Sequence, residues 1–126
     1  MPVVPRFPWL EIEQIDKVTA VRFTRPMSLE GDSFDTIGKH LTGLMESEGR
    51  KRFVINCGNV ESLSTTMLGK LFKLHQKLVA AGGMLVLCNA SPFLAQIFEV
   101  VELPLIIRVF DTEQDAVQTY QPRKQV

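Results

Sequence analysis

The feature that most constrains this chain is a set of apolar runs too short for helices, spaced by segments with helical periodicity. Val18 to Phe23, Phe53-Val54-Ile55-Asn56-Cys57, Met84-Leu85-Val86-Leu87-Cys88 and Leu105 to Phe110 each hold five or six residues rich in branched and aromatic side chains. Runs of that length bounded by turn residues read as buried strands, and near-continuous apolarity is typical of strands covered on both faces. Between them, Phe34, Ile37, Leu41, Leu44 and Met45 recur at helical spacing up to Gly49, and Leu68, Leu71, Phe72, Leu74, Leu78 and Val79 do so from Met67 up to Ala81-Gly82-Gly83. A third helix carries Leu94, Ile97, Phe98 and Val101 before Pro104, and a fourth runs from Asp111-Thr112 to about Tyr120. Strand and helix alternate from Val18 onward, which predicts an α/β fold: a mainly parallel sheet joined by right-handed crossovers, with about four helices.

The start differs. Trp9 to Ile15 alternates apolar and polar residues, Asp16-Lys17 makes a short turn, and Val18 to Phe23 returns, so an antiparallel hairpin should place Trp9 to Ile15 at a sheet edge. Residues 1–8, interrupted by Pro2, Pro5 and Pro8, read as an extended N-terminal segment, and residues 121–126 as a disordered tail. Helix ends are marked by Ser33 as an N-cap, by the Gly82-Gly83 stop, and by Ser91-Pro92, a cap followed by proline at the first helical position. A chain of 126 residues is the size of one domain, and neither a repeat nor a linker divides it.

Composition limits function. Lys+Arg and Asp+Glu are equal at 14 each, so no overall basic field favours nucleic acid. Arg50-Lys51-Arg52 reads as a solvated connector. No apolar run approaches the roughly 20 residues of a membrane span, and the proline-rich start lacks the pattern of a signal peptide, which predicts a cytoplasmic protein without direct membrane insertion. His40 and His75, the two histidines, fall within predicted helices as solvent-facing residues with no metal-ligand spacing around them, and neither a GxxxxGK[ST] nor a GxGxxG loop is present. No acid/base pair, nucleophile and base, or cofactor motif appears, so a non-enzymatic protein without cofactor or metal is expected. Cys57 and Cys88 should be buried free thiols. The one unusual constellation is Ser62, Ser64, Thr65 and Thr66, between a buried strand and a helix, where hydroxyls also serve as plain caps.

At this segment the chain resembles the anti-sigma-factor antagonists, a branch of the sulphate-transporter and anti-sigma-antagonist (STAS) family. Val54-Ile55-Asn56-Cys57-Gly58-Asn59-Val60-Glu61-Ser62-Leu63-Ser64-Thr65-Thr66-Met67-Leu68-Gly69 is similar to the family's strand, loop and Asp-Ser-Ser/Thr-Gly-Leu-Gly helix start. The likeness continues through Ala81-Gly82-Gly83, the strand Met84 to Cys88, the Ser91-Pro92 helix entry and Val109 to Ala116. Ser64 stands where the family usually carries aspartate, and Met67 where it carries glycine. The resemblance implies one STAS-type domain that acts by partner switching. The unphosphorylated form would bind an anti-sigma factor or a serine/threonine kinase-like protein, or other STAS proteins, and phosphorylation of a hydroxyl at the helix start would release it. Register places Thr65 at the phospho-acceptor, with Ser64 and Thr66 as lesser candidates, and Ser62, Ser64, Thr65, Thr66 and Met67 on the partner-binding surface. The same family also implies an alternative, an unregulated adaptor in a larger assembly such as a stressosome-like or lipid-transport complex.

Overall fold

The computed structural model describes residues 3–7 and 9–120; the expected tail at 121–126 lies outside them. Eight strands occur in chain order: β1 (Val3–Phe7), β2 (Leu10–Ile15), β3 (Val18–Phe23), β4 (Met27–Leu29), β5 (Arg52–Asn56), β6 (Val60–Leu63), β7 (Met84–Cys88) and β8 (Val109–Phe110). Helices are α1 (Gly31–Glu48), α2 (Thr65–Ala80), α3 (Pro92–Val100) and α4 (Glu113–Gln118), with a 3-10 turn at Leu103–Leu105. The main sheet has six strands in the order β1-β2-β3-β5-β7-β8. Both pairings among β1, β2 and β3 are antiparallel, and β3-β5, β5-β7 and β7-β8 are parallel.

The α/β architecture, the opening hairpin and the four helices agree with expectation, and four local expectations are corrected. Trp9 to Ile15 does not end the sheet: Val3–Phe7 pairs with β2 and takes the edge. Proline is compatible with an edge strand, whose outer side needs no ladder N–H, and the register shift between Pro5 and Phe7 is a common edge irregularity. Leu105 to Phe110 is not a full strand. Pro104 favours the tight turn at Leu103–Leu105, Ile107 is buried after it, and only Val109–Phe110 pairs with β7. Helix α1 begins two residues before the expected cap, with Glu30 rather than Ser33 at the N-cap. Finally, β4 and β6 form a separate two-stranded parallel sheet, too short for a periodic pattern to announce.

Residues on the sheet alternate between two unequal cores, as the period-two geometry of strands requires. Leu10, Ile12, Val21, Phe23, Phe53, Ile55, Leu85 and Leu87 point to one face and join Phe34, Ile37, Leu41 and Leu44 of α1, Leu68, Leu71, Leu74 and Leu78 of α2, and Leu94 and Phe98 of α3. Val18, Val54, Val86 and Cys88 point to the other, where Ala116 and Val117 of α4 cover them. Cys57 and Cys88 are buried and free, and they fall in different cores. Val79, expected on the apolar side of α2, is half exposed.

Helix α2 is pinned at both ends. Ser64 Oγ accepts from Met67 N at 3.0 Å. At the other end Gly82 adopts φ 86 and Gly83 N donates to Leu78 O at 2.7 Å. A Cβ on Gly83 would meet Lys51 O at 2.7 Å, so only glycine fits that crossing.

Candidate functional site

At the C-terminal end of the parallel strands, the loops after β3, β5 and β7 meet the start of α2. Asn56 begins the β5 exit: its Oδ1 accepts from Gly58 N at 2.8 Å, closing a tight local turn. Asn59 Nδ2 then donates to Phe23 O at 2.6 Å, and Met27 N donates to Asn59 O at 2.9 Å, tying this exit to that of β3. The small β4-β6 sheet carries the chain onward. Ser62 Oγ donates to Ser28 Oγ at 2.8 Å across it, and Ser64 N donates to Leu29 O at 3.2 Å. Thr65 therefore occupies the first position of a helix whose entry is held from two sides.

Thr65 and Thr66 are exposed, while Ser62 and Ser64 are half-buried. The first N–H groups of a helix lack intrahelical partners; the Ser64 hydroxyl satisfies that of Met67, and the first turn contains no acidic side chain. Met67, expected on the docking surface, is instead buried among the α2 core residues, because position three of this helix already faces the sheet. Ser64, at the position where aspartate was the expectation of the motif, performs the N-cap role that either residue type can fill.

The loop after β7 borders the same end. Asn89 sits in the left-handed region at φ 59, and a Cβ on Gly58 would lie 3.9 Å from Asn89 Cβ. Ser91 Oγ caps α3 by accepting from Leu94 N at 3.2 Å, as the Ser-Pro pattern foretold. Beyond that cap, α3 and the turn after it carry most of the large exposed apolar side chains among the described residues: Phe93, Val100, Val101, Leu105 and Ile106.

Other candidates fare differently. His40 and His75 are half-buried rather than solvent-facing, and burial holds the His75 imidazole below its ordinary pKa. Burial pushes the Cys57 and Cys88 thiols up to about 12, which leaves them almost wholly protonated at neutral pH. Among the described residues no group of three or more His, Cys, Asp or Glu side chains could hold a metal ion, and no helix is long and apolar enough to cross a membrane.

The STAS domain model matches residues 10–116, which takes in the hairpin, the parallel strands and the start of α2. The chain belongs to the STAS domain family. Solved structures show how widely this fold is shared. An anti-sigma factor antagonist from Mycobacterium paratuberculosis is 17% identical, with a TM-score of 0.73 over 87% of this chain and 91% of that one. The Bacillus cell fate determinant SpoIIAA in its phosphorylated form is 16% identical, with a TM-score of 0.68 over 89% and 99% of the two chains. The murine Solute Carrier 26 family member A9 anion transporter contains the fold as 18% of its chain, matching 85% of this one at 15% identity and a TM-score of 0.67. At such identities the likeness concerns the fold alone. This STAS domain thus shares its architecture with free-standing antagonists and with a segment of a transporter.

Proposed function

We propose that this STAS domain is a non-enzymatic regulatory protein of the anti-sigma-factor-antagonist kind, which docks to an anti-sigma factor or a serine/threonine kinase-like partner and is released when Thr65 is phosphorylated. The observation that carries the reading is the exposed Thr65 hydroxyl at the start of the sixteen-residue helix α2, with Ser64 as cap and no acidic residue in the first turn. A helix N-terminus offers free N–H groups and the positive end of the macrodipole, both favourable to a phosphate. Phosphorylation adds about −1.5 to −2 charges, so the uncharged docking surface around Ser62, Ser64 and Thr66 would become strongly negative while the fold below it stays intact. The cytoplasm is the compartment that fits such a partner.

A second reading is the unregulated adaptor, favoured by the occurrence of the same fold inside a much longer transporter chain. Pull-downs from the source organism with wild type, Thr65→Ala and Thr65→Glu, together with mass spectrometry of the recovered protein, separate the two. The switch requires that Thr65→Glu lose a partner that wild type and Thr65→Ala retain, and that phosphate be found on Thr65. Identical partner sets and an unmodified Thr65 would leave the adaptor.

A further inference from the structure

The end of the sheet remote from Thr65 carries a second chemistry. Helix α2 spans sixteen residues, or about 24 Å at 1.5 Å per residue, and at its far end lies an open cavity of about 690 Å³ lined by Lys17, Arg50, Lys51, Arg52 and Arg108 with Glu48 as the one lining carboxylate. The topology makes this gathering. Lys17 sits in the β2-β3 turn, Arg50 to Arg52 lead into β5, and Arg108 precedes β8, so parallel strands bring their N-terminal flanks together.

Arg50 corrects the expectation of a solvated connector. Its Nε donates to the buried hydroxyl of Thr19 at 3.0 Å and its Nη1 to Asp16 O at 3.2 Å. Its Nη2 is shielded from water and has no hydrogen-bond partner, an arrangement that costs stability until an acceptor arrives. Arg108 donates to Thr119 Oγ1 and lies over the Phe110 ring. Among the described residues none of the five cations forms an ion pair; the ion pairs present belong to Arg22 and Lys70.

Neutralisation by helix ends does not account for the cluster. Helices α1 and α2 both end here, each C-terminus worth about half a negative charge. Part of that charge is already answered, because backbone N–H groups of Gly49, Arg50, Ala81, Gly82 and Gly83 donate to the carbonyls of Met45, Leu44, Lys77, Val79 and Leu78. Even with Glu48 and the neighbouring Asp16 counted, cations remain in excess. A single carboxylate would offset little of this, whereas a phosphomonoester, with about −1.5 to −2 charges and three acceptor oxygens, offsets most of the surplus and suits the guanidinium geometry.

We propose that this cavity is an anion site that binds a terminal phosphate group, as a monoester or a diphosphate, carried on a free small molecule or on a lipid headgroup. An anion that parts the long side chains around Arg50 supplies the acceptor that Nη2 lacks. The site is independent of Thr65 and of any partner docked there.

The probes are inorganic pyrophosphate, and vesicles of phosphatidylcholine with and without phosphatidic acid. Amide NMR with pyrophosphate should show saturable shifts at Lys17, Gly49 to Arg52 and Gly82 to Met84, with a Kd below about 1 mM. The double variant Lys51→Gln/Arg52→Gln removes two exposed charges and should bind at least about tenfold more weakly, with an unchanged melting temperature in the absence of anion. Arg50→Lys, which keeps the charge and removes the fork, should weaken binding as well. Co-sedimentation only with phosphatidic acid vesicles, lost in the double variant, would assign the phosphate to a lipid; pyrophosphate binding without co-sedimentation would assign it to a free molecule. The proposal is overturned if pyrophosphate gives no saturable shifts at these amides, or if wild type and the double variant bind it equally.

Discussion

The two faces of the main sheet are covered in opposite ways. One is apolar from β2 to β7 and lies under α1, α2 and α3. The other has its buried apolar residues on β3, β5 and β7, flanked by the half-buried Ile15 and Phe110, beneath the six-residue helix α4. Where α4 stops, the second face turns charged: Arg22 of β3 reaches Glu13 at 2.6 Å, Glu113 of α4 at 2.6 Å and Glu11 at 3.4 Å. Asn56 Nδ2 also donates to Glu113 Oε1 at 3.1 Å, so the carboxylate that fastens α4 touches the strand exit leading to Thr65. The large core holds the fold by burial of continuous area, whereas the small one needs a polar clasp to keep a short helix in place. An isolated helix of that length is marginal, and Thr112 Oγ1, accepting from Asp115 N, and Tyr120, donating to Phe53 O at 3.0 Å, complete the clasp.

That contrast can be broken in a graded way. Leu71→Ala, in the large core and 1% exposed, should cost about 2–5 kcal/mol as a cavity mutation; chemical denaturation would show it, and a loss well below about 1 kcal/mol would remove Leu71 from the argument. Val117→Ala, on the buried side of α4, should cost about 1–2 kcal/mol, since fewer methyl groups are lost from a more exposed pocket. Equal costs at the two sites would mean that the two cores are energetically alike.

Glu113→Gln should cost about 1 kcal/mol at neutral pH, and its signature is pH dependence. The hydrogen bond from Arg22 holds the Glu113 carboxyl below its ordinary value of 4.5, with burial opposing and Asn56 assisting. A lowered folded-state pKa stabilises the protein fully above the unfolded value and is lost as pH falls through the folded one. Wild type and variant should therefore converge in stability as the solution is acidified below about pH 4.5, and a constant gap would exclude the ionised clasp. The finest comparison is between the thiols. Both should react far more slowly than in the unfolded chain, but Cys88 should label before Cys57 because undocking α4 exposes it without opening the larger core; simultaneous labelling would indicate one cooperative unit.

Much of this was legible in local sequence. Alternation in Leu10-Glu11-Ile12-Glu13 foretold a strand with one apolar and one charged face, and the continuous runs of β5 and β7 foretold strands covered twice. The Ser91 cap and the Gly82-Gly83 stop are likewise properties of a few neighbouring residues. These signals survive because hydrophobic period and capping depend on chemistry within one or two turns.

What the sequence alone determined, then, is the alternation of the main strands with four helices, the α/β class and the hydroxyl cluster at the start of α2. Tertiary structure decided what depends on distant residues. The edge fell to Val3–Phe7 because β2 needed a partner, and Met27–Leu29 became a strand only by meeting Val60–Leu63. Met67 turned inward because the angle at which α2 meets the sheet is set by packing along its whole length. Arg50, unremarkable in a basic triplet, was drawn against Thr19 of a strand 31 positions earlier in the chain. Periodicity reports which side of an element is apolar, but only the folded chain determines which side chains from separate elements share a cavity or an ion pair.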